Sequence, residues 1–408
     1  MSQKFLIFLQ ILPALAALSS GVRAADFTPD SAAAYALRHN ADLAAARLSV
    51  DQAKARLLGS GLRRNPEFES EVRPNLAGRE FSFSIGFSQR FPLTHRLGIE
   101  KAVSAGGVTL AENEVAEAAR VLTNGVRGIA LKIQALHARQ EILGKQQTAA
   151  RDLAASMAKT AAAGETPPLE AAQLELEVSQ ISIMALQINA ERVTLTGTLR
   201  PLLGCPAGDT IHIAGSLPSP SLPASTAVNP ASHPSYRIAL SKAEIARRSI
   251  ELARANRWED LTVGVGYERS HQQDDPTGLG RDNLAVIRFS LPLPLKKQSA
   301  GPIAESIATA ERATMEATAT AALLQNEAAA ALSEMKTFLA IHQQTISELL
   351  PQAKALENRL SELQKNGQAA LPDVLRARQQ RLAFEAAAID ARRDFHLAKL
   401  RYQSATGL

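Results

Sequence analysis

The chain has 408 residues, a formal net charge of +5, and contents of 4% aromatic and 21% charged residues. The mild positive charge has no basic cluster behind it, which argues against nucleic-acid binding. The alanine-rich composition suits long helices packed through small side chains and disfavours a thick globular core. Cys205 is the only cysteine, so a disulfide within the chain is excluded.

Residues 1–24 read as a secretory signal peptide. Lys4 supplies the positive start, Phe5 to Leu18 forms the apolar stretch, and Val22-Arg23-Ala24 resembles an A-x-A cleavage site. A membrane anchor is the alternative, but the apolar stretch is shorter than the ~20 residues of a spanning helix. We therefore expect cleavage after Ala24 and export. Since no cysteine directly follows this site, we expect no lipid anchor.

A glycine-led turn at 164–170 recurs 203 residues later at 367–373, which indicates one structural unit written twice. Each copy has the same predicted order: a moderate helix, two strands, a very long helix, the turn and another helix. In the first copy, residues 25–203, we expect a helix at 29–62, strands at about 67–73 and 81–91, and a long helix at 97–163. Residues 204–232 are rich in Pro, Ser and Ala and are interpreted as a linker. In the second copy, residues 233–408, we expect a helix at 233–258, strands at about 261–268 and 283–291, a loop at 271–282, and a long helix at 299–366.

The predicted strands alternate between apolar and small or polar residues. From Phe81 to Ser88, every odd position is large and apolar, so one face of the strand is a continuous apolar band. Strands of about 9–11 residues with this alternation are typical of membrane β-barrels, although a small soluble sheet buried against a helix would show it too. Four strands cannot close a barrel, and an open edge cannot lie in lipid. If the strands are in a membrane, several copies of the chain must pool them, and three copies would give about 12 strands.

The helices carry heptad seams. In the second long helix, apolar residues recur at steps of three and four from Leu332 to Leu363, with His342 as a polar member that we expect to fix register. The helix after the first turn has the same spacing, at Leu174, Val178, Ile181, Ala185 and Ile188. A helix of sixty-odd residues would be roughly 95 Å long, and two moderate helices stacked end to end would match it. The sequence thus predicts antiparallel coiled-coil helices arranged as the wall of a cylinder.

Three stretches carry a resemblance to a known family. They are Ser88 to Leu93, Phe289 to Leu295 followed by Gly301-Pro302-Ile303-Ala304-Glu305, and Gly367 to Ala377. They resemble strand-to-helix junctions and the second helical turn of the TolC-like outer-membrane efflux proteins, and specifically of the heavy-metal-type, CzcC-like branch. The resemblance covers the mature chain almost end to end.

This resemblance implies a mainly α fold with a small β part, built as a duplicated helix-strand-strand-long helix-helix unit. It further implies a homotrimer in the Gram-negative outer membrane, with a 12-stranded β-barrel and a periplasmic α-barrel. The expected partners are a periplasmic adaptor (membrane fusion) protein and an inner-membrane RND-type pump, and the expected role is a passive exit duct. Heavy-metal cations as substrate are suggested by the branch resemblance alone.

The resemblance also implies candidate site residues. Asp373 occupies the first acidic position of the family's entrance constriction, and Arg376 stands where better-known members have a second acidic residue. We expect Asp373, Arg376 and Glu170 at the periplasmic entrance, where Asp373 would form an acidic ring in a trimer or would simply favour a helix N-terminus. The expected adaptor-docking positions at the hairpin tips are Gly164, Glu165, Thr166, Gly367 and Gln368.

The alternation assigns the two faces of the strands. Glu67, Glu69, Glu71 and Glu268 would line the interior of a barrel. The expected lipid-facing residues are Phe81, Phe83, Ile85, Phe87, Val263, Val265, Tyr267, Ile287 and Phe289.

Two other functions stay open at this point. A type I protein-secretion outlet would have the same architecture with a different pump, and a secreted coiled-coil interaction protein would explain the heptads without a membrane. No pair of histidines has metal-binding spacing, and no catalytic triad, phosphate-binding glycine loop or pair of catalytic carboxylates stands out. We therefore expect no enzyme activity, no cofactor and no metal site.

Overall fold

The computed structural model describes residues 25–76, 80–164, 167–223, 229–274, 278–294 and 299–407. The predicted signal peptide, residues 1–24, lies outside the described residues. The chain divides into two compact units, each of which takes segments from both sequence copies. The described residues within 1–41, 121–223 and 332–400 form the first unit, and those within 42–120, 224–331 and 401–408 form the second.

Within the described ranges, six strands and eight α-helices follow one another. In chain order they are β1 (Ala25–Phe27), α1 (Pro29–His39), α2 (Ala41–Gly59), β2 (Glu67–Pro74), β3 (Phe81–Phe91), α3 (Arg96–Ala162), α4 (Pro168–Leu203), β4 (Ile211–Ile213), α5 (Pro234–Ala255), β5 (Leu261–Asp274), β6 (Gly278–Ser290), α6 (Ala300–Gln344), α7 (Leu350–Lys365) and α8 (Leu371–Thr406). The predicted fold class, mainly α with a small β part and a duplicated order of elements, is confirmed.

The main sheet is antiparallel with the strand order β2-β3-β5-β6, and it belongs to the second unit. A small parallel pair, β1 with β4, lies in the first unit. The predicted linker at 204–232 contains β4 and a 3₁₀ turn at Pro230–Ser232, elements that the sequence analysis did not predict. A strand of three residues is too short to give an alternation signal in the sequence.

The predicted single helix at 29–62 is two helices, because the chain turns at Asn40. This residue is extended (φ −70°, ψ 125°), and its side-chain Nδ2 donates a hydrogen bond to the carbonyl oxygen of Leu202, at 3.1 Å. Asn favours such breaks because its side chain can satisfy backbone groups that the helix leaves free. The start of α1 is fixed by a capping box between Thr28 and Ser31.

The predicted loop at 271–282 is largely strand. The hydrogen-bonded ladder between β5 and β6 continues to the pairs Gln272–Gly280 and Asp274–Gly278. Gly278 has φ +85°, a conformation that suits a tight reversal beside the ladder. The polar composition of this segment did not reveal that its backbone stays extended.

The predicted continuous helix at 299–366 is interrupted by a π-helical turn at Thr345–Leu349. Pro351 explains the interruption, because proline has no backbone N–H and its ring collides with the carbonyl four residues earlier. The wider turn, in which Leu350 N donates to the Thr345 carbonyl, moves the chain away from that collision. The helix direction continues into α7.

A glycine in the left-handed conformation follows the last helix of each sequence copy. In the first unit, α4 ends at Gly204 (φ +71°), where a Cβ atom would lie 2.3 Å from the carbonyl oxygen of His39. In the second unit, Gly407 (φ +73°) follows α8, and a Cβ there would lie 2.9 Å from Ser232 Oγ, beside His233. Both glycines thus combine a left-handed conformation with a close backbone approach that a side chain would block.

Small side chains allow the helices to approach closely. In the second unit, Ala243 and Ala246 of α5 pack against Ala310 and Ala313 of α6. In the first unit, larger residues join a core near the hairpin tips, where Leu174 and Leu371 are almost fully buried beside Ala154.

Candidate functional sites

The main sheet has one apolar face. In the antiparallel register, Phe87 stands between Phe68 and Val265, and Val265 in turn stands opposite Ile287. The rings of Phe68 and Phe87 lie 5.3 Å apart. All nine residues that were predicted to face lipid lie on this face, and Phe87, Ile287 and Phe289 are 58%, 66% and 72% exposed. Whether lipid covers them stays a prediction.

Sequence reasoning missed two members of this face. Phe68 and Val72 of β2 are 61% and 55% exposed and continue the apolar surface to the edge of the sheet. Glutamate recurs at every second position of their strand from Glu67 to Glu71, with Phe68, Ser70 and Val72 on the other face, a signal that was available in the sequence. Leu284 departs from the pattern, because its register opposite Glu268 places it on the other face.

The opposite face of the sheet is charged and concave. Glu67, Glu69, Glu71 and Glu268 share this face, and Arg288 of β6 reaches across to Glu69 of β2 at 3.5 Å. Since β2 and β6 are the two edges of the sheet, this pair spans a cavity of about 410 Å³ on the polar face.

Two further ion pairs, Arg73–Glu71 at 2.7 Å and Arg90–Glu67 at 3.1 Å, lie on the polar face. Glycines at the centre of this face leave the backbone uncovered by side chains. Gly86 and Gly266 are cross-strand partners, and a Cβ at Gly86 would lie 2.9 Å from the carbonyl oxygen of Val265.

The two predicted turns end their helices as expected. Gly164 (φ +77°) and Gly367 (φ +71°) adopt the left-handed conformation, and their N–H groups donate to the carbonyls of Ala161 and Gln364. Gln368 N donates to the Leu363 carbonyl at 2.8 Å. Nothing lies within 4 Å of a Cβ built on either glycine, so both tips are open. Glu165 and Thr166, predicted for docking, lie outside the described residues.

The predicted entrance residues lie in the first two turns of the helices that leave these tips. Asp373 is in the first turn of α8 and accepts a hydrogen bond from Arg376 Nη1 at 3.4 Å, one turn further along the same helix. Both side chains are exposed. Glu170 occupies the corresponding first turn of α4 and is half-buried. The negative charges are thus near helix N-termini, where the helix dipole stabilises them.

Behind the tips, the structure contains an ionic network that sequence reasoning missed. Arg378 of α8 lies 3.7 Å from Glu177 of α4 and 3.2 Å from Glu357 of α7, and Arg381 pairs with both Glu357 and Glu385. Burial raises the pKa of Glu177, an effect that Arg378 opposes and Glu357 reinforces. Glu177 is 4% exposed, and both its carboxylate oxygens lack a hydrogen-bond partner. The network ties three helices together with one imperfectly satisfied charge.

Within the described residues, no group of three His, Cys, Asp or Glu side chains is arranged to hold a metal ion. His342, which was expected to fix register in the seam, donates from Nδ1 to the carbonyl oxygen of Ala388 at 3.0 Å. The described helices include none that is both long and apolar enough to cross a membrane.

Comparison with solved structures identifies the fold. The chain superposes on the CusC structure, described for folding and transmembrane channel formation, with a TM-score of 0.78, 17% identity, and coverage of 93% of this chain and 92% of that one. The Campylobacter jejuni outer membrane channel CmeC matches with a TM-score of 0.76 and 15% identity, over 93% of this chain and 85% of that one. The Vibrio cholerae outer membrane protein VceC matches with a TM-score of 0.74 and 17% identity, over 93% of this chain and 96% of that one. No protein-family model matches the chain.

One sequence relative agrees with the structural matches. The cobalt-zinc-cadmium resistance protein CzcC of Cupriavidus metallidurans is 24% identical over 400 residues, which cover 94% of this chain and 87% of that protein. The chain is TolC-like in fold and CzcC-like in sequence. The recognition made from the sequence is therefore confirmed. The roles predicted for the entrance, docking and lipid-facing residues stay predictions.

Proposed function

We propose that this TolC-like, CzcC-like chain is the outer-membrane channel of a tripartite efflux system. It would act as a passive exit duct that receives substrate from an RND-type inner-membrane pump through a periplasmic adaptor. The observation that carries the proposal is the two-faced sheet with unjoined edges, attached to helices of up to 67 residues. An apolar outer face and a charged concave face are what a channel wall in lipid requires.

The open edges make the assembly oligomeric. In the described chain, β2 and β6 end the sheet without a further partner strand, and an unpaired edge in lipid costs several kcal/mol for each free backbone group. Because the four strands alternate in direction, β6 of one copy meets β2 of the next antiparallel. We propose three copies, which give a 12-stranded barrel in the Gram-negative outer membrane above a periplasmic α-barrel.

The proposed entrance lies at the hairpin tips. Asp373 from three copies would form an acidic ring, with Arg376 pairing to it within each copy, and Glu170 beside it. The proposed adaptor-docking positions are Gly164, Glu165, Thr166, Gly367 and Gln368. The relative CzcC is named as a cobalt-zinc-cadmium resistance protein. Because this chain is similar to it in sequence, we propose divalent metal cations as the substrate class.

Two measurements test the function. Purified protein in detergent should have the mass of a trimer by light scattering, and it should form conducting pores in planar bilayers. A strain that lacks the gene should become more susceptible to cobalt, zinc or cadmium, and the intact gene should restore growth. A monomer that forms no pores would refute the channel, whereas unchanged metal susceptibility with altered drug susceptibility would refute only the substrate class.

A further inference from the structure

The apolar face of the main sheet changes character toward its turn end, which is the end where β5 reverses into β6. Counting away from the helices, the side chains on this face are first apolar, then aromatic or small, and finally polar or charged. They are Val265, Tyr267, Arg269 and His271 on β5, and Ile287, Ala285, Asn283 and Arg281 on β6. The Tyr267 hydroxyl donates a hydrogen bond to Asn283 Oδ1 at 2.5 Å, so the polar groups begin at the row of Tyr267.

Three of these side chains, Arg269, His271 and Arg281, form a basic cluster. His271 and Arg281 are directly opposite each other on the paired strands, and Arg269 is two residues from His271 on the same strand and face. The Cβ atoms of directly opposite residues are about 5 Å apart, and diagonal neighbours are about 7–8 Å apart, within reach of long side chains. Both arginines are exposed. The cluster is therefore compact enough to contact a single phosphate group.

The acidic residues of this end of the sheet do not neutralise the basic cluster. Glu268 and Asp282 each adjoin a cluster residue in the chain, so their side chains point to the opposite, polar face. Among the described residues, neither Arg269 nor Arg281 forms an ion pair. Of the strand side chains that the structure describes on the apolar face, these two arginines are the only formally charged ones. The cluster thus presents positive charge that has no counter-ion within the chain.

Strand geometry places the basic cluster at the boundary of the apolar band. The row that contains Val265 lies near the middle of the apolar stretch Phe81–Phe91. From Val265, Arg269 is four residues further along the strand, and His271, opposite Arg281, is six residues further. At about 3.4 Å per residue and a strand tilt of about 40°, these steps are roughly 10 Å and 16 Å in height. An outward apolar band is about 25 Å tall, so its boundary lies between these two levels.

The position and charge of the cluster indicate an anionic ligand at the headgroup level of one leaflet. A lipid-facing arginine is strongly destabilising at the middle of a bilayer and costs little near its interfaces. A guanidinium binds phosphate oxygens through two parallel hydrogen bonds, and lipid phosphates lie at this level. At the helix-attached end of the same face, the described strand residues include no charged side chain. The basic cluster therefore distinguishes one leaflet from the other.

We propose that the basic cluster binds the phosphate groups of lipopolysaccharide in the outer leaflet of the outer membrane. This inference rests on the proposed function, because a channel whose helices extend into the periplasm has the turn end of its sheet at the outer leaflet. Lipopolysaccharide is the main lipid of that leaflet, and its lipid A anchor carries phosphates directly above the acyl chains. Arg269 and Arg281 bind the phosphates, and Phe81, whose ring is 6.5 Å from that of His271, contacts the upper part of the acyl chains.

Titration of the purified full-length protein in detergent with bisphosphorylated lipid A tests the site, and native mass spectrometry counts the bound lipid. Arg269→Gln with Arg281→Gln removes both guanidinium groups. Each basic residue beside an anionic lipid surface contributes about a fivefold gain in affinity, so this double variant should bind lipid A roughly 30-fold more weakly than the parent. Arg269→Lys with Arg281→Lys keeps the charge and should bind within about fivefold of the parent.

The matched control is Arg73→Gln with Arg288→Gln, which removes two arginines from the polar face of the same sheet. This variant has the same change in net charge and should bind lipid A as tightly as the parent does. Lipid A without phosphates but with the same acyl chains should bind the parent about as weakly as phosphorylated lipid A binds the variant Arg269→Gln with Arg281→Gln.

Two results would overturn the proposal: equal affinities of the two glutamine double variants for lipid A, or equal affinities of the parent for lipid A with and without phosphates. Equally tight binding of phosphatidylglycerol to the parent would overturn the assignment to lipopolysaccharide. If Arg269→Gln with Arg281→Gln fails to assemble, the comparison of lipids on the parent decides. Either failure in a parent that is trimeric and forms pores would leave the channel function standing, whereas a monomeric parent without pores would refute the channel itself.

Discussion

Replacing Phe87 by arginine should destabilise the membrane-inserted protein strongly, and replacing Ser84 by arginine should not. Phe87 occupies the middle of a row formed with Phe68, Val265 and Ile287. An arginine at the lipid-facing midplane of a β-barrel costs about 2–4 kcal/mol, and the lost burial of a phenylalanine adds about 1.5–3 kcal/mol. Together these give a loss of roughly 4–7 kcal/mol in the free energy of unfolding.

Ser84 is the matched control on the same strand. Its register places it between Glu71 and Glu268 on the polar face, so an arginine there would lie between two carboxylates and in contact with water. We expect Ser84→Arg to change the free energy of unfolding by less than about 1 kcal/mol, as exposed substitutions generally do.

Denaturant unfolding from lipid vesicles measures both values, with the fluorescence of Trp258, the only tryptophan, as the signal. If the apolar face were covered by water instead of lipid, Phe87, which is 58% exposed, would tolerate arginine nearly as well as Ser84 does. Equal effects of the two substitutions would therefore refute the assignment of the faces.

Three further substitutions test the packing away from the sheet. Burial raises the pKa of Glu177 above its unfolded value, so its contribution to stability is present at low pH and is lost as pH rises through the folded pKa. Glu177→Gln should therefore raise Tm at pH 8 by about 1 °C, the shift that ~1 kcal/mol produces in a chain of 408 residues, and should change Tm little at pH 4.5. A lower Tm at pH 8 would contradict this. Burial lowers the pKa of His233, so the protein loses stability as pH falls below the unfolded pKa of about 6.5. His233→Asn retains an N-cap acceptor, so the urea midpoint of this variant should fall less between pH 7.5 and pH 5.5 than that of the parent protein. An equal fall in both proteins would count against this explanation. Gly204→Ala should lower the free energy of unfolding by more than about 2 kcal/mol, because its Cβ would collide with the His39 carbonyl. Gly164 is equally left-handed but lies in open space, so Gly164→Ala should lower the free energy of unfolding by about 1 kcal/mol. Thermal unfolding of the two variants side by side tests this, and equal losses of stability would show that the contact with His39 is unimportant.

Periodicity predicted the elements well where it was sustained. The alternation from Phe81 to Ser88 placed β3 and its apolar face correctly, because side chains in a strand point to opposite sides whatever the strand packs against. The repeated glycine turns at Gly164 and Gly367 were equally readable, since the left-handed conformation favours glycine for local steric reasons.

Features set by contacts between distant segments were not readable. The break at Asn40 depends on carbonyl groups at the end of α4, and β4 exists only because β1 lies beside it. The ionic network around Arg378 joins three helices whose relative heights no local pattern specifies.

The amino-acid sequence by itself determined the duplicated order of helices and strands, the apolar band on the strands and the ends of the long helices. These follow from short-range sterics and from the periods of the two regular structures, which act between near neighbours in the chain. Only the tertiary structure decided which heptad positions are buried and which are left exposed on α4 and α7. A heptad pattern specifies that a helix has partners, but the identity and height of each partner depend on how distant segments meet.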